Sequence, residues 1–424
     1  MMEPKRTTGR DIRRKNRSAL LSELFFHGPL SRLELAERTG LSPATASNVT
    51  ADLIDDRLIV EAGRVESDGG RPRVLLRVDP AYGNVIGAVV AETDVRVELF
   101  DLAMTQLAAL VLPIPAGGLD PDAVADLIVD GVRRVIGTAG VAYDSVLGVG
   151  VGVPGIVEQG FTTLVHAKTI GWDAVPLARM IRERGLDLPV LLENGAKTLG
   201  QAEMWFGAGR GARHAVIVLV GSGVGAAVVT NGVTYQGASS SAGEWGHTTI
   251  VYGGRECRCG AKGCLEAYIG AQGVLERYRK ARRGREIPGD DEITRFQSLL
   301  DASARSDVAA DLLDETADLI GAGIANLINL FNPERVVLGG WTGLALGKRL
   351  LPRIREAARE HALPHPYGQA SIELCTLGDG AVALGAATLP VAALLNGSSV
   401  ARKASARPGS GPAAEIDSAD IEVA

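Results

Sequence analysis

Near the start of the chain, Leu20, Leu21, Leu24 and Phe25 recur at the spacing of one helical face. Gly28-Pro29 ends that helix. Ser31 then stands as an N-cap, with Glu34 placed to complete a capping box, and Gly40 closes this short second helix. Another start signal comes at once: Ser42 as cap, Pro43 at the first helical position, and Val49, Leu53 and Ile54 as a buried face. "IVEAGRVESDGGRPRVLLRVD" has alternating apolar residues around "SDGG", which predicts a β-hairpin. Helices, a glycine-containing turn and a hairpin make a winged helix-turn-helix over residues 1–78.

From residue 79 the pattern changes. Strands with hairpin breaks ("NVIGAVVAETDVRVELFDLAMTQLAALVLPIP") lead to an amphipathic helix ("PDAVADLIVDGVRRVIG") and a buried strand ("VLGVGVGVPGIV"). A related order returns: hairpin ("HAVIVLVGSGVGAAVVTNGVTYQGA"), helix ("ADLIGAGIANLINLFN"), strand ("RVVLGG"). This predicts an α/β domain over residues 79–396, built from two similar halves around a cleft. Residues 397–424 lack a core-forming pattern and read as a disordered tail.

Charge sharpens the amino-terminal reading. The chain carries a net charge of -6, yet residues 1–17 hold seven Lys and Arg. A basic arm on an acidic chain attracts phosphate locally. The predicted recognition helix opens with Pro43, Ala44, Thr45, Ser47 and Asn48, small and polar enough to approach base edges in a major groove. Arg71 and Arg73 stand at the hairpin tip, where a wing meets the minor groove or backbone. These seven residues are the candidate contacts to double-stranded operator DNA.

Three of the four cysteines cluster. His247, Cys257, Cys259 and Cys264 supply the four ligands that a closed tetrahedral Zn²⁺ site takes, one ion per chain with a structural role. The alternative is three unligated thiols on a loop. Cys375, in "SIELCTLG", reads as a core residue. Clustered thiols, with no secretory leader and no uninterrupted apolar span of membrane length, predict a cytoplasmic protein without a membrane partner. "LLENGAKTLG" leaves two readings: Asn194-Gly195 as a hairpin turn, or polar residues at the end of a buried strand, where α/β proteins bind ligands.

In chain order, "GVGVPGIV", "ENGAK", "GSGVG", "GEWGH" and "CRCGAKGCLEAY" resemble the ROK family of repressors and sugar kinases over roughly residues 12–390. The preceding winged helix is similar to its repressors, such as those for N-acetylglucosamine and xylose genes. The resemblance implies a two-lobed, actin- and hexokinase-like domain that forms a homodimer or homotetramer. It also implies a cleft for a sugar or sugar-phosphate effector, with Gly155, Asn194, Glu244, His247 and Glu266 as ligand-binding positions.

This chain departs from the family at two places. Where the kinases carry Asp-Ile-Gly-Gly-Thr, it reads "VVAET": Val89 replaces the Asp, and Glu92 brings negative charge toward the phosphate position. Where they carry Glu-Asn-Asp, it reads Glu193-Asn194-Gly195, which removes the general base. Lys197 adds a cation at the cleft mouth, either one that favours a phosphorylated or acidic ligand or, the reading preferred, a solvated side chain. The resemblance therefore implies a repressor without catalytic residues. An active sugar kinase and a regulator that has lost sugar sensing are the competing readings.

Overall fold

The computed structural model describes residues 8–67, 70–115 and 119–397. The expected disordered tail from residue 398, the hairpin tip Asp68-Gly69 and the first seven residues lie outside the described residues.

The amino-terminal unit comprises α1 (Gly9–His27), β1 (Leu30–Ser31), α2 (Arg32–Thr39), α3 (Pro43–Asp55), β2 (Ile59–Ser67) and β3 (Gly70–Val78). Its start signals act locally. The Ser31 side chain accepts from the Glu34 N–H and Glu34 accepts from the Ser31 N–H, so both exposed donors at the start of α2 are satisfied. Ser42 caps α3, with Pro43 at its first position. The strands pair antiparallel in the order β1-β3-β2.

Two features of this unit add to the sequence expectation. From residue 9 the basic stretch forms the first turns of α1, opened by a capping box between Thr8 and Asp11. The unit also shares a core with the α/β domain. Leu20, Leu21, Leu24, Leu35 and Leu53 pack in one cluster with Val85, Phe100, Leu147, Val391 and Leu395. Residue 78 is thus a change of architecture without a free linker.

The first lobe holds β4 (Asn84–Val90), β5 (Asp94–Asp101), β6 (Gln106–Pro113), α4 (Pro121–Ala139), β7 (Val146–Val153), β8 (Ile156–Glu158), β9 (Leu164–Ala167), β10 (Trp172–Val175), α5 (Leu177–Glu183), β11 (Val190–Asn194) and α6 (Gly195–Phe206). The second holds β12 (Ala215–Val220), β13 (Val224–Thr230), β14 (Val233–Thr234), α7 (Glu266–Ile269), α8 (Ala271–Ala281), α9 (Glu292–Ala302), α10 (Asp307–Phe331), β15 (Arg335–Gly339), α11 (Trp341–His361), α12 (Pro364–Gln369), β16 (Ser371–Leu374) and α13 (Ala381–Leu395).

The main sheets run β6-β5-β4-β7-β11 and β14-β13-β12-β15-β16, the same order twice. In each, an antiparallel meander is followed by two parallel strands. This is the two-lobed α/β architecture that the repeated pattern predicted. Helices α6 and α13 pack against each other between the lobes, α6 on β12 and β13, α13 on β4 and β7. The segment Gly378–Leu395 is long and apolar enough to cross a membrane by composition. It is apolar all round because it is enclosed by helix and sheet.

Candidate functional site

The loop from Tyr235 to Cys264 is hydrogen-bonded to the end of β11 and the start of α6, to the β4–β5 turn and to the β12–β13 turn, and Asn194 ties β11 to Gly155 after β7, so these segments meet where the sequence places a cleft. Strand ends are where an α/β sheet exposes main-chain groups that no neighbouring strand uses.

Residue 247 closes a short turn, Trp245–His247, anchored by the buried Trp245 indole donating to the Gly323 carbonyl at 3.2 Å. The cysteine loop folds back on that turn. Gly263 has φ +82°, and a Cβ there would lie 1.8 Å from the Val251 carbonyl oxygen, so only glycine fits. As a result the ligand atoms of His247, Cys257, Cys259 and Cys264 all lie within 4.8 Å of one another. Cys257 Sγ is 3.7 Å from His247 Nδ1, and Cys259 Sγ is 3.8 Å from Cys264 Sγ. A tetrahedron with zinc–sulfur and zinc–nitrogen bonds of ordinary length has edges of about 3.6–3.8 Å. The donor set therefore fits a tetrahedral metal ion. Burial pushes the Cys257 thiol up to about 12, so a metal ion taken up here must displace a proton.

Asn194 ends β11 and caps α6. Its Oδ1 accepts from the N–H groups of Ala196 and Lys197, at 2.8 and 3.2 Å. Its Nδ2 donates to the Gly155 carbonyl at 2.6 Å. The Asn-Gly pair is thus a strand-to-helix junction, not a hairpin. Glu193 is mostly buried, and desolvation raises its pKa; it accepts from the Asn194 N–H and from Gln236 Nε2, at 2.8 and 3.3 Å.

Lys197 departs from its expected solvated position. Only 3% of it is exposed, and its Nζ donates to Gln236 Oε1 and the Ser240 carbonyl, at 2.6 and 2.7 Å. Its position one turn into α6 aims it inward across the cleft, and burial lowers its pKa against the pull of Glu193.

Glu244 keeps a partly exposed carboxylate, 4.0 Å from His247 Nε2, and burial raises its pKa. Glu266 is buried: it accepts from the Val224 N–H at 3.0 Å and lies 3.7 Å from Arg258. It braces the β12–β13 turn against the metal loop. Of the five sequence-named cleft residues, Glu244 and His247 keep accessible side-chain atoms, while Asn194 and Glu266 are engaged by main chain.

The negative charge of Glu92 is not left uncompensated. Arg258, between two of the clustered cysteines, donates to both Glu92 oxygens at 2.8 and 2.9 Å and to the Ser222 carbonyl at 3.2 Å. Ser222 Oγ also hydrogen-bonds Glu292. The turn between β4 and β5 is thereby tied across the cleft to the metal loop. Sequence reasoning missed Arg258, because nothing in one dimension pairs positions 166 residues apart.

On the amino-terminal unit, Pro43, Ala44, Ser47 and Asn48 are exposed and Thr45 is half-buried, all at the start of α3. Arg73 is exposed on β3 opposite Val65, slightly inside the expected tip. The Arg71 side chain lies outside the described residues.

The sequence matches the ROK family over residues 86–392. It is similar to the xylose repressor of Caldicellulosiruptor bescii, 30% identical over 91% of this chain and 97% of that one. It is also similar to a glucokinase of Halalkalibacterium halodurans, 35% identical over 56% of this chain and 74% of that one. Among solved structures, a ROK family transcriptional regulator, a homologue of the E. coli MLC protein, superposes with a TM-score of 0.76 at 25% identity. That match covers 93% of this chain and 99% of the other.

Proposed function

Since the chain belongs to the ROK family, we propose that it is a DNA-binding transcriptional repressor whose two-lobed domain senses an effector and does not phosphorylate it. The observation that carries this reading is the exposed, small and polar start of α3 beside the β2–β3 wing, on a chain similar to a xylose repressor over 91% of its length. Such a surface enters a major groove through Pro43, Ala44, Thr45, Ser47 and Asn48, with Arg71 and Arg73 on the backbone or minor groove. Two copies in a homodimer, or pairs within a homotetramer, present two such helices to a pseudo-palindromic operator. Four free cysteines among the described residues accord with a cytoplasmic protein that joins the nucleoid when bound to DNA.

The cleft takes a sugar or sugar-derived effector, with the Glu244 carboxylate accepting from its hydroxyls and the His247 ring N–H left outward by metal ligation donating to one. A bound Zn²⁺ supplies a closed staple at His247, Cys257, Cys259 and Cys264. It holds one wall of the cleft and leaves no coordination position for chemistry. Against phosphoryl transfer stand Gly195, which offers no base, and Glu92, a carboxylate that occupies Arg258 in the turn where the family's kinases carry glycine.

The test is a mobility shift with duplex fragments selected by the protein from a random pool. A sequence-selective, salt-sensitive shift at nanomolar protein is expected. Equal binding to selected and scrambled fragments defeats the reading.

One observation favours a second reading, loss of sugar sensing in favour of a non-sugar ligand or a protein partner. Lys197, Gln236, Glu193 and Asn194 satisfy one another and the main chain, leaving few free polar atoms for a sugar. Thermal-shift screening with D-xylose, D-glucose, N-acetylglucosamine and their phosphates separates the two. Stabilisation by any of them at millimolar concentration supports sugar sensing, and silence supports the second reading.

A further inference from the structure

Helix α6 begins in the cleft and ends against the amino-terminal unit. At its first turn, Asn194 holds the Gly155 carbonyl of the first lobe, and Lys197 holds Gln236 and Ser240 of the second. At its last turn, Trp205 and Phe206 pack edge-to-face on α1. Trp205 lies 5.7 Å from the Phe25 ring centre and 4.9 Å from that of Phe26, and Phe206 lies 6.3 Å from Phe25. Arg210, just past the helix, donates to the Phe26 carbonyl at 3.0 Å. Phe26 is followed within a few residues by Ser31, the cap of α2.

Between these ends the helix is packed so closely that it can shift only as a whole. A Cβ at Gly200 would lie 2.3 Å from Ala227 Cβ on β13, and one at Gly385 of α13 would lie 1.8 Å from the Thr198 carbonyl oxygen. Glu203, fully buried, accepts from the N–H groups of Ala208 and Leu377, at 2.7 and 3.3 Å, and so fixes the turn after the helix. A helix gripped this closely moves as one body, because packed interfaces shift between arrangements and do not deform smoothly. Twelve residues at 1.5 Å rise carry a displacement about 18 Å.

We propose that α6 is the element that transmits the state of the cleft to the DNA-reading unit. A change in the loop around Gln236 and Ser240 shifts Lys197 and the helix, and Trp205 and Phe206 pass that shift to Phe25 and Phe26 at the end of α1. For its output the proposal rests on the DNA-binding reading; the coupling itself does not.

Hydrogen exchange of the full-length, metal-loaded chain tests it. Gln236→Ala removes one partner of Lys197 and one of Glu193 while leaving every residue of α6 unchanged, and Lys197→Met is the second cleft variant. Each is expected to change exchange several-fold at residues 20–28 as well as in the loop. In a Trp205→Ala background the response at residues 20–28 is expected to vanish, and in Trp205→Phe to persist. A response confined to the loop, or one at residues 20–28 that survives Trp205→Ala unchanged, overturns the proposal. Coupled exchange in a chain that selects no DNA fragment would defeat the DNA-binding reading and leave the transmission intact.

Discussion

Gly195→Asp places a carboxylate at the first position of α6, where the family's kinases carry their base. The site accepts it: a Cβ at Gly195 meets only Val153 O at 3.7 Å and Val382 Cγ1 at 3.9 Å, ordinary van der Waals contacts. An acidic residue in the first helical turn gains about 0.3–1 kcal/mol from the helix dipole. Repulsion from nearby Glu193 and Glu244 opposes that gain, so the net change in folding stability is expected within about 1 kcal/mol, measured by urea denaturation. For a sugar in the cleft the balance differs. A charge-assisted hydrogen bond to a hydroxyl contributes about 1.5–3 kcal/mol, roughly ten- to a hundredfold in Kd. Calorimetric titration of both chains with D-xylose and N-acetylglucosamine should show tighter binding by Gly195→Asp. An unchanged affinity in a stable variant would refute the placement of residue 195 at the sugar. ATP-dependent turnover by Gly195→Asp would refute the reading of Glu92 and Arg258 as a block to phosphoryl transfer.

Cys259→Ser should lower bound zinc well below one per chain by elemental analysis and reduce the melting temperature, since a closed site tolerates no missing ligand. Glu92→Gln removes a bidentate partner of Arg258 from a site with side chains 29% and 26% exposed. A double-mutant cycle with Arg258→Ala should give a coupling of about 1 kcal/mol that shrinks in high salt. Asn48→Ala, at an exposed position, should leave unfolding unchanged and cost about 1–3 kcal/mol on selected DNA, seen as a weaker mobility shift.

Local signals were legible in the sequence wherever the chain satisfies itself nearby. Ser31 with Glu34, Ser42 with Pro43, and the glycines of the cysteine loop each act over a few residues, and the structure forms the elements they announce. The cluster of His247 with three cysteines was legible because its members lie within one short stretch of chain. What escaped depends on distant partners. Lys197 reads as a solvated lysine because its acceptors, Gln236 and Ser240, come 39 and 43 residues later. The shared core of α1 and the α/β domain escaped because the α1 leucines satisfy a small helical domain equally well; only the fold brings Val85, Val391 and Leu395 to them. Helix α13 gave no amphipathic pattern, since it packs on α6 on one side and on β4 and β7 on another and presents no polar face.

The ion pair between Glu92 and Arg258 has a further consequence for competition. A carboxylate held on the same chain presents itself to its partner at an effective concentration of about millimolar or above. Any free anion that would take Arg258 must outcompete a rival that never diffuses away. Dissolved phosphate or nucleotide well below that level therefore leaves the contact between the β4–β5 turn and the loop carrying Arg258 in place.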